Sequence, residues 1–377
     1  MTPIYLDHNA STPPAPEVID VVARVSSEAY GNPGSRHAAG RQARKVLEQA
    51  RDTVARVLDA SPANVVFTSG GTEATNLAML GLCAGRQGVV LAPPGEHPAT
   101  EQTIQHLTAR GFERWSIPID ARGRIVDSAL DDAPWDRAAV ATALVAHNET
   151  GVIQNLDRLS EFCGARGVPL HLDAVQAAGR IAVRFRASGA ATMSIAAHKF
   201  RGPRGIGALL IREDVRLQRA MFGGHQESER RPGTESVALA AGMAAALELW
   251  DRERAAYAAR LARLRDRLEG ALLEACAPAV VNGSGAPRLP NTLNIAFPGC
   301  DGEALLVALD LAGVCASLGS ACASGSSDPA PILTALGCPP EVLKSSLRLS
   351  VGWTTTESDV DEAAERIAGV VGRLRGL

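Results

Sequence analysis

Hydrophobic positions in the first two thirds of the chain alternate between a helical period and short unbroken apolar runs. Residues 36–60 carry apolar side chains at helical spacing, and further helices are predicted near 98–109 and 156–166. The runs between them are predicted to be buried strands at 65–67, 89–92, 115–119, 138–146, 169–172, 193–196 and 206–211. Alternation of strands and helices favours an α/β fold whose mostly parallel sheet is covered by helices on both faces.

The last third of the chain shows a different pattern. From Thr234 to Cys276 the sequence is almost wholly helical in character, and four leucines repeat there at spacings of three and four residues. Alternating apolar and polar residues at 293–297 then predict a strand, and a final helix is expected from about residue 357. We interpret this part as a smaller α+β domain that the long helix joins to the larger one.

Composition excludes several functional classes. The chain has 377 residues, 46% of them hydrophobic, which predicts two domains with a sizeable core. Its net charge of -3 leaves no excess of positive charge for binding nucleic acid. The sequence contains no apolar run of about 18 residues, which is the length that would predict a membrane span. The N-terminal residues do not resemble a signal peptide. The 7 cysteines include no C-x-x-C pair, so we expect reduced thiols, no metal site and a cytoplasmic location.

The scarcity of lysine narrows the candidates for amine chemistry. The only lysines are Lys45, Lys199 and Lys344. Lys45 is interpreted as an exposed residue of an amphipathic helix, and Lys344 as a surface residue of the tail. Lys199 directly follows a predicted buried strand, where α/β folds place their sites, and it is therefore the candidate for a Schiff base.

Two other strand ends carry candidate chemistry, each with a plainer alternative. The glycines before Thr72 can form an anion-binding cup at the start of a helix, or they can be a simple turn with Thr72 as its cap. Asp173 ends a predicted strand and is followed by Gln176. Asp173 can pair with a protonated ring nitrogen, or it can cap the next turn. A third candidate is Cys322, whose Gly/Ser-rich surroundings at 319–328 predict an accessible thiol rather than a buried, inert one.

Taken together, these segments resemble a cysteine desulfurase, which is a pyridoxal-phosphate enzyme of the class V aminotransferase family. The resemblance runs nearly from end to end and includes the lysine, aspartate and cysteine segments described above. The further motifs that support it are YLDHNASTP at 5–13, GNPGSRH at 31–37, GGTEATN at 70–76, EH at 96–97, HNETG at 147–151, RPGT at 231–234 and SSLRLS at 345–350. Each motif is weak alone, but their order and spacing make the set specific.

The resemblance implies the fold-type I architecture of pyridoxal-phosphate enzymes. We therefore expect a large cofactor-binding domain at 12–250 with a mostly parallel, seven-stranded sheet. A smaller α+β domain is expected to combine residues 1–11 and 251–377. That smaller domain would contribute the cysteine loop and the arginine that binds the substrate carboxylate.

The resemblance also implies roles for residues around the ring of pyridoxal 5'-phosphate. Lys199 matches the lysine that forms the Schiff base with the cofactor and later moves protons on the substrate carbon. His97 matches the histidine that stacks on the ring. Asp173 matches the carboxylate paired with the ring nitrogen, which keeps the ring an electron sink. Gln176 matches the amide bonded to the ring oxygen.

Further residues match the groups that bind the cofactor phosphate. Gly71, Thr72 and His198 match phosphate-binding positions within one subunit. Thr234 matches the residue that reaches the phosphate of the partner subunit, so the resemblance implies a homodimer.

The remaining matches concern the substrate, L-cysteine. Asn148 and Arg348 match the groups that hold its carboxylate, a task that suits a bidentate guanidinium. Cys322 matches the nucleophile that takes the sulfur as a persulfide while L-alanine leaves. The sulfur would then pass to an acceptor protein in iron–sulfur cluster or thio-cofactor biosynthesis. The length of the stretch from Cys322 to Pro331 resembles the longer-loop group, which favours cysteine over selenocysteine.

Two departures from the family pattern change the expectations. Ala196 stands where the family has a serine or threonine that helps to hold the phosphate, so we expect weaker cofactor binding. The chain ends at Leu377, without the longer tail with which housekeeping members dock an iron–sulfur scaffold protein, and this makes such a scaffold a less expected acceptor.

Three alternative functions remain open from the sequence. The chain can be a selenocysteine lyase, another class V pyridoxal-phosphate lyase or aminotransferase, or a catalytically silent partner subunit. Cys322 in its loop argues against a plain aminotransferase, and the full set of expected catalytic residues argues against a silent subunit.

Overall fold

A computed structural model describes residues 2–318 and 329–376. Its strands are β1 (Ile4–Tyr5), β2 (Val65–Thr68), β3 (Val89–Ala92), β4 (Glu113–Ser116), β5 (Ala138–Leu144), β6 (Leu170–Asp173), β7 (Thr192–Ala196), β8 (Gly207–Ile211), β9 (Val280–Val281), β10 (Thr292–Ala296), β11 (Val314–Cys315) and β12 (Ser346–Ser350). Its α-helices are α1 (Pro16–Glu28), α2 (Ala38–Val57), α3 (Gly71–Cys83), α4 (Pro98–Thr108), α5 (Asp157–Arg166), α6 (Val237–Ala275), α7 (Gly302–Leu311), α8 (Pro331–Ala335), α9 (Pro340–Ser345) and α10 (Glu357–Arg375).

The central sheet has seven strands in the spatial order β2-β8-β7-β6-β5-β3-β4. Strands β7, β6, β5, β3 and β4 run parallel to one another, and β8 runs antiparallel to both of its neighbours. The mostly parallel, seven-stranded sheet expected from the sequence is therefore confirmed. Most of its strands are buried along their full length because helices cover both faces.

β4 and α1 are two of the elements that differ from the sequence-based expectation. β4 was expected to be buried, but it is the edge strand of the sheet and most of its residues are exposed. α1 was not predicted, although Val18 and Val25 are seven residues apart and both are buried. α1 packs along α6, which lies far away in sequence, so its burial depends on tertiary contact.

Two large hydrophobic clusters divide the core. The first surrounds the central sheet, and the second combines the N-terminal Ile4 and Leu6 with side chains from α7, β10, β12 and α10. α6 contributes to both, with Leu247 in the first cluster and Leu268 in the second. A single long helix thus connects the two cores, while the domain boundaries given above stay a prediction. Within the described ranges, no helix has the length and hydrophobicity to cross a membrane.

Candidate active site

The predicted site residues converge at the carboxyl edge of the central sheet. Asp173 is the last residue of β6, Lys199 follows β7 by three residues, and Asn148 lies in the loop after β5. Parallel strands bring their carboxyl ends to the same edge, so loops that are distant in sequence meet there. A cavity of about 480 Å³ opens at this edge, and five predicted residues line it: His97, Asn148, Gln176, Lys199 and Arg348.

Lys199 is held by the N-terminal segment of the chain. Its Nζ donates hydrogen bonds to the backbone oxygens of Asn9 at 2.7 Å and of Ala10 at 2.8 Å. Burial, together with the positive charges of Arg180 and Arg348, lowers the pKa of Lys199 to about 7, although the carboxylates of Asp7 and Asp173 oppose this shift. A large fraction of this amine is therefore unprotonated at neutral pH, as a nucleophilic lysine requires.

His97 and Asp173 form the next part of the site. His97 caps the N-terminus of α4, and its Nδ1 accepts a hydrogen bond from the backbone N–H of Ala99 at 3.1 Å. Burial lowers the pKa of His97, which favours a neutral ring with its proton on Nε2. Asp173 accepts from the backbone N–H of Val175 at 2.9 Å, and burial raises the pKa of its carboxyl group while nearby His97 opposes that rise.

Asn9 connects several of these groups although the sequence analysis assigned it no role. Its backbone oxygen accepts from Lys199 and also from Nε2 of Gln176 at 3.0 Å. Its side chain donates to the backbone oxygen of Asn148 at 3.1 Å and to Oγ1 of Thr292 at 2.9 Å. One buried asparagine thus fixes the amine, the amide and the loop after β5 relative to one another.

Arg348, on β12, reaches the cavity from the second hydrophobic core. Its Nη1 donates to Oε1 of Glu149 at 2.9 Å, and its Nη2 donates to Oδ1 of Asp7 at 2.9 Å. Nδ2 of Asn148 donates to the same Glu149 oxygen at 2.7 Å. Within the described ranges, Oδ1 of Asn148 and Nε of Arg348 are buried without a hydrogen-bond partner. Unsatisfied buried groups of this kind are typical of a ligand-binding site.

The predicted anion cup lies at the start of α3, directly after β2. A Cβ atom added at Gly71 would lie 2.6 Å from Cγ2 of Val175, so close packing requires glycine at this position. The same added atom would lie 3.7 Å from Cβ of Ala196, which shows that Ala196 faces the cup. Thr72 lies in the first turn of α3 and lines, together with His97, a neighbouring cavity of about 440 Å³.

Five of the predicted residues that the structure describes do not line the 480 Å³ cavity: Gly71, Thr72, Asp173, His198 and Thr234. His198 precedes Lys199, and burial together with the charges of Lys199 and Arg180 lowers its pKa to about 4. Thr234 is exposed, three residues after Arg231, whose Nε donates to Oε1 of Glu73 in α3 at 2.8 Å. The predicted nucleophile, Cys322, lies outside the described residues.

Four further polar residues of the site received no role from the sequence: Asp7, Asn9, Glu149 and Arg180. The first three stand in the motifs at 5–13 and 147–151, so a signal was present. Arg180 is buried, and its Nη1 donates to Oε1 of Gln176 at 2.5 Å and to the backbone oxygen of the same residue at 2.8 Å. The contacts of Asp7 and Asn9 join distant segments and could not be predicted from the sequence, whereas Gln176 is only four positions from Arg180.

Comparisons with known proteins identify the family to which this chain belongs. The family model described as aminotransferase class V matches residues 4–363. The chain is 39% identical to a cysteine desulfurase of Trichormus azollae, with 100% of this chain and 95% of the relative covered. It is 40% identical to an IscS-like cysteine desulfurase of Mycobacterium tuberculosis, with 98% and 97% covered. A solved structure of a NifS-like protein superimposes with a TM-score of 0.91 at 29% identity, covering 99% of this chain and 100% of that one. The chain belongs to the class V aminotransferase family and, within it, to the cysteine desulfurases.

Proposed function

We propose that this protein converts L-cysteine to L-alanine with pyridoxal phosphate as its cofactor and takes the released sulfur onto Cys322 as a persulfide. One observation carries the proposal: Lys199, Asn148 and Arg348 meet around a single cavity of about 480 Å³. The cavity therefore combines an amine of lowered pKa with a guanidinium and an amide that suit an α-carboxylate. That combination fits an amino-acid substrate.

The residues present fit pyridoxal phosphate. Lys199 would supply the amine for its aldehyde, and the buried Asp173 would supply a carboxylate for its ring nitrogen. The N-terminus of α3 would hold its phosphate. Gly71 keeps that helix end free of a side chain that would clash with Val175. When bound, the cofactor supplies an electron sink that weakens the bonds at the substrate's α-carbon.

The chain's own groups position the reaction around that electron sink. Nζ of Lys199 would hold the cofactor and would move a proton at the substrate carbon. The backbone oxygens of Asn9 and Ala10 hold the free amine in the cavity. Nε2 of Gln176 donates one N–H to the backbone oxygen of Asn9, and because an amide NH₂ group has two donors, its second N–H can bind a group in the cavity that Gln176 lines. A neutral His97 offers its ring for stacking without adding positive charge.

The substrate is oriented by its α-carboxylate. Arg348 and Asn148 are buried side by side, and each keeps one polar atom without a partner among the described residues. The free atom of Arg348 is the donor Nε, and an α-carboxylate bound to it would fix the substrate's side chain relative to Lys199. The free Oδ1 of Asn148 is an acceptor, while the donor of that side chain, Nδ2, is bonded to Glu149. This assignment is supported by the match of both residues to the family motifs at 147–151 and 345–350.

The sulfur step joins the substrate to Cys322. The carbon–sulfur bond of cysteine breaks, a sulfur–sulfur bond forms on the Cys322 thiolate, and the carbon skeleton gains a proton and leaves as alanine. One thiol and one cysteine thus give one persulfide and one alanine, so the step needs no external oxidant or reductant. Ser317, on the chain leading toward Cys322, lines the cavity, and its backbone oxygen accepts from the N–H of Arg348 at 2.7 Å.

The proposal includes a homodimer, a cytoplasmic location and transfer of the sulfur to an acceptor protein. Thr234 would reach the partner subunit's phosphate, and its exposed position supports this assignment. Tyr30 and Phe222 are 78% and 83% exposed, and exposed aromatic side chains of this size are typical of an interface between subunits.

Single-turnover chemistry tests the proposal. Purified holoenzyme mixed with cysteine should release alanine and sulfide in equal amounts once a reductant cleaves the persulfide. Cys322→Ala should still bind cysteine, with a shift of the cofactor's absorbance, but it should form almost no alanine. Cys338→Ala is the matched control and should turn over nearly normally. Normal alanine formation in Cys322→Ala, or added sulfur found by mass spectrometry on another cysteine, contradicts the proposal.

A further inference from the structure

Arg348 binds two protein carboxylates at the place where a substrate carboxylate would be bound. Oε1 of Glu149 lies 2.9 Å from its Nη1, and Oδ1 of Asp7 lies 2.9 Å from its Nη2. One positive charge therefore faces two negative charges. A substrate carboxylate that simply joined this group would be the third anion around one guanidinium, and like charges at this spacing repel one another.

The two carboxylates differ in burial and in their other contacts. The side chain of Glu149 is 1% exposed, and its Oε1 also accepts from Nδ2 of Asn148 at 2.7 Å. The side chain of Asp7 is 20% exposed, and both residues line the 480 Å³ cavity. Glu149 is thus held by two buried partners, Asn148 and Arg348, whereas Asp7 is the more exposed of the two carboxylates.

The backbone around Asp7 is fixed, so only its side chain is free to turn. The backbone oxygen of Leu6 accepts from the N–H of Ser350 at 2.7 Å, and the backbone oxygen of Asp7 accepts from the hydroxyl of Tyr5 at 3.1 Å. β1, which ends two residues before Asp7, pairs with β11. A rotation of the Asp7 side chain therefore opens Nη2 of Arg348 without disturbing the strand contacts around it.

Displacing Asp7 costs less free energy than displacing Glu149. Glu149 moved away from Arg348 would be a buried carboxylate without a cation, which is strongly unfavourable. Asp7 moved away from Arg348 enters a cavity that water can reach, where its charge is solvated. A carboxylate ligand therefore competes with Asp7.

We infer that Asp7 occupies the substrate-carboxylate site on Arg348 in the empty enzyme and that the substrate's α-carboxylate displaces it. Asp7 is then a specificity-determining residue. The apparent affinity of every carboxylate ligand equals its intrinsic affinity multiplied by the fraction of molecules in which Asp7 is turned away from Arg348. A ligand without a carboxylate gains nothing from Arg348 because it cannot replace Asp7 there. The inference rests on the proposed function, since it takes Arg348 to be the group that binds the substrate's carboxylate.

Binding of propionate to the holoenzyme tests this inference without turnover. Propionate has a carboxylate but no amino group, and its Kd can be measured by ligand-observed NMR. Asp7→Asn keeps the shape of the side chain and removes its charge, so propionate should bind about tenfold more tightly. Propionamide, which is neutral, should bind the variant and the unchanged protein equally.

Asp361→Asn is the matched control. Asp361 binds Arg267 with two hydrogen bonds of 2.5 and 2.7 Å on the exposed surface, so this variant also removes one carboxylate from an arginine pair. Its Kd for propionate should be unchanged. Equal or weaker propionate binding in Asp7→Asn than in the unchanged protein overturns the inference, because Asp7 would then orient Arg348 rather than compete for it.

A crystal structure of the unchanged holoenzyme with propionate keeps the inference testable even if Asp7→Asn does not fold. The propionate carboxylate should lie within hydrogen-bond distance of Nη2 of Arg348, with Asp7 turned away and Glu149 in place. Propionate bound to Arg348 beside an unmoved Asp7 overturns the inference. Neither measurement requires the enzyme to form alanine, so failure of the proposed function and failure of this inference are distinguishable.

Discussion

Arg180 donates two hydrogen bonds to Gln176 from a buried position, one to its Oε1 and one to its backbone oxygen. Its Nη2 donates to the backbone oxygen of His8 at 3.1 Å, and none of the ion pairs within the described ranges includes it. A buried guanidinium without a carboxylate partner is uncommon. Arg180 orients the Gln176 amide so that the amide NH₂ group lies away from Arg180. The positive charge of Arg180 also contributes to the lowered pKa of Lys199.

Replacing Arg180 should therefore change the titration of Lys199. Arg180→Met removes the charge that lowers the pKa of Lys199, so that pKa should rise by about one unit. Arg180→Lys keeps the charge and should keep the pKa close to its original value. The pH dependence of cofactor rebinding to the cofactor-free protein measures this pKa in both variants. A merely structural role for Arg180 would lower the amount of folded protein without moving the midpoint on the pH axis.

The rate of cofactor rebinding should follow the protonation state of Lys199. Because its pKa is lowered to about 7, the amine is protonated below that pH and free above it. The rate should rise with pH through about 7 and level off above 8, whereas an ordinary lysine would give a rise that continues toward pH 10. Borohydride reduction followed by mass spectrometry should then find the cofactor on Lys199. Labelling of Lys45 or Lys344 instead would contradict the assignment.

Restoring a hydroxyl in the phosphate cup should strengthen cofactor retention. Ala196 faces the start of α3, and a hydrogen bond to a charged phosphate contributes about 1.5–3 kcal/mol. Ala196→Ser should therefore lose the cofactor at least several-fold more slowly during dialysis against a competing amine. Ala141→Ser, at a buried position in the middle of β5, is the control and should lose it at the original rate. Equal rates for all three proteins would show that another group already fills that position.

Glu96 should make stability fall with rising pH. It is buried, its Oε1 accepts from the backbone N–H of Leu144 at 2.9 Å, and burial raises the pKa of its carboxyl group from 4.5 to about 8, with Asp173 adding to the rise. Between pH 4.5 and about pH 8, the folded state therefore binds more protons than the unfolded state. The stability that the protonated Glu96 contributes is lost as the pH rises through about 8.

Glu96→Gln replaces the protonated carboxyl with a neutral group of the same shape. Between pH 6 and pH 9 the thermal unfolding midpoint of the unchanged protein should fall by a few degrees more than that of Glu96→Gln. Glu28→Gln, at an exposed position, is the control and should follow the unchanged protein. Identical pH profiles for the unchanged protein and Glu96→Gln would show that Glu96 is ionised in the folded state at neutral pH.

The sequence by itself determined the elements and the chemical types of the site. The apolar runs at 65–67, 89–92 and 138–146 correspond to β2, β3 and β5, because burial on both faces of a parallel sheet demands consecutive apolar residues. The position of Lys199 after β7 was equally predictable, since the carboxyl ends of such strands place their residues at one edge. Family motifs added the matching roles for His97 and Gln176.

Only the tertiary structure decided which side chains meet. Asp7 and Arg348 are 341 positions apart in sequence, and Asn9 and Lys199 are 190 apart, yet both pairs are within hydrogen-bond distance. The periodicity of apolar residues indicates which side of a segment faces the core, but it does not indicate which distant segment packs against that side. The ion pairs of Arg348 and the pKa of Lys199 are set by those distant neighbours, because burial and nearby charges act through space rather than along the chain.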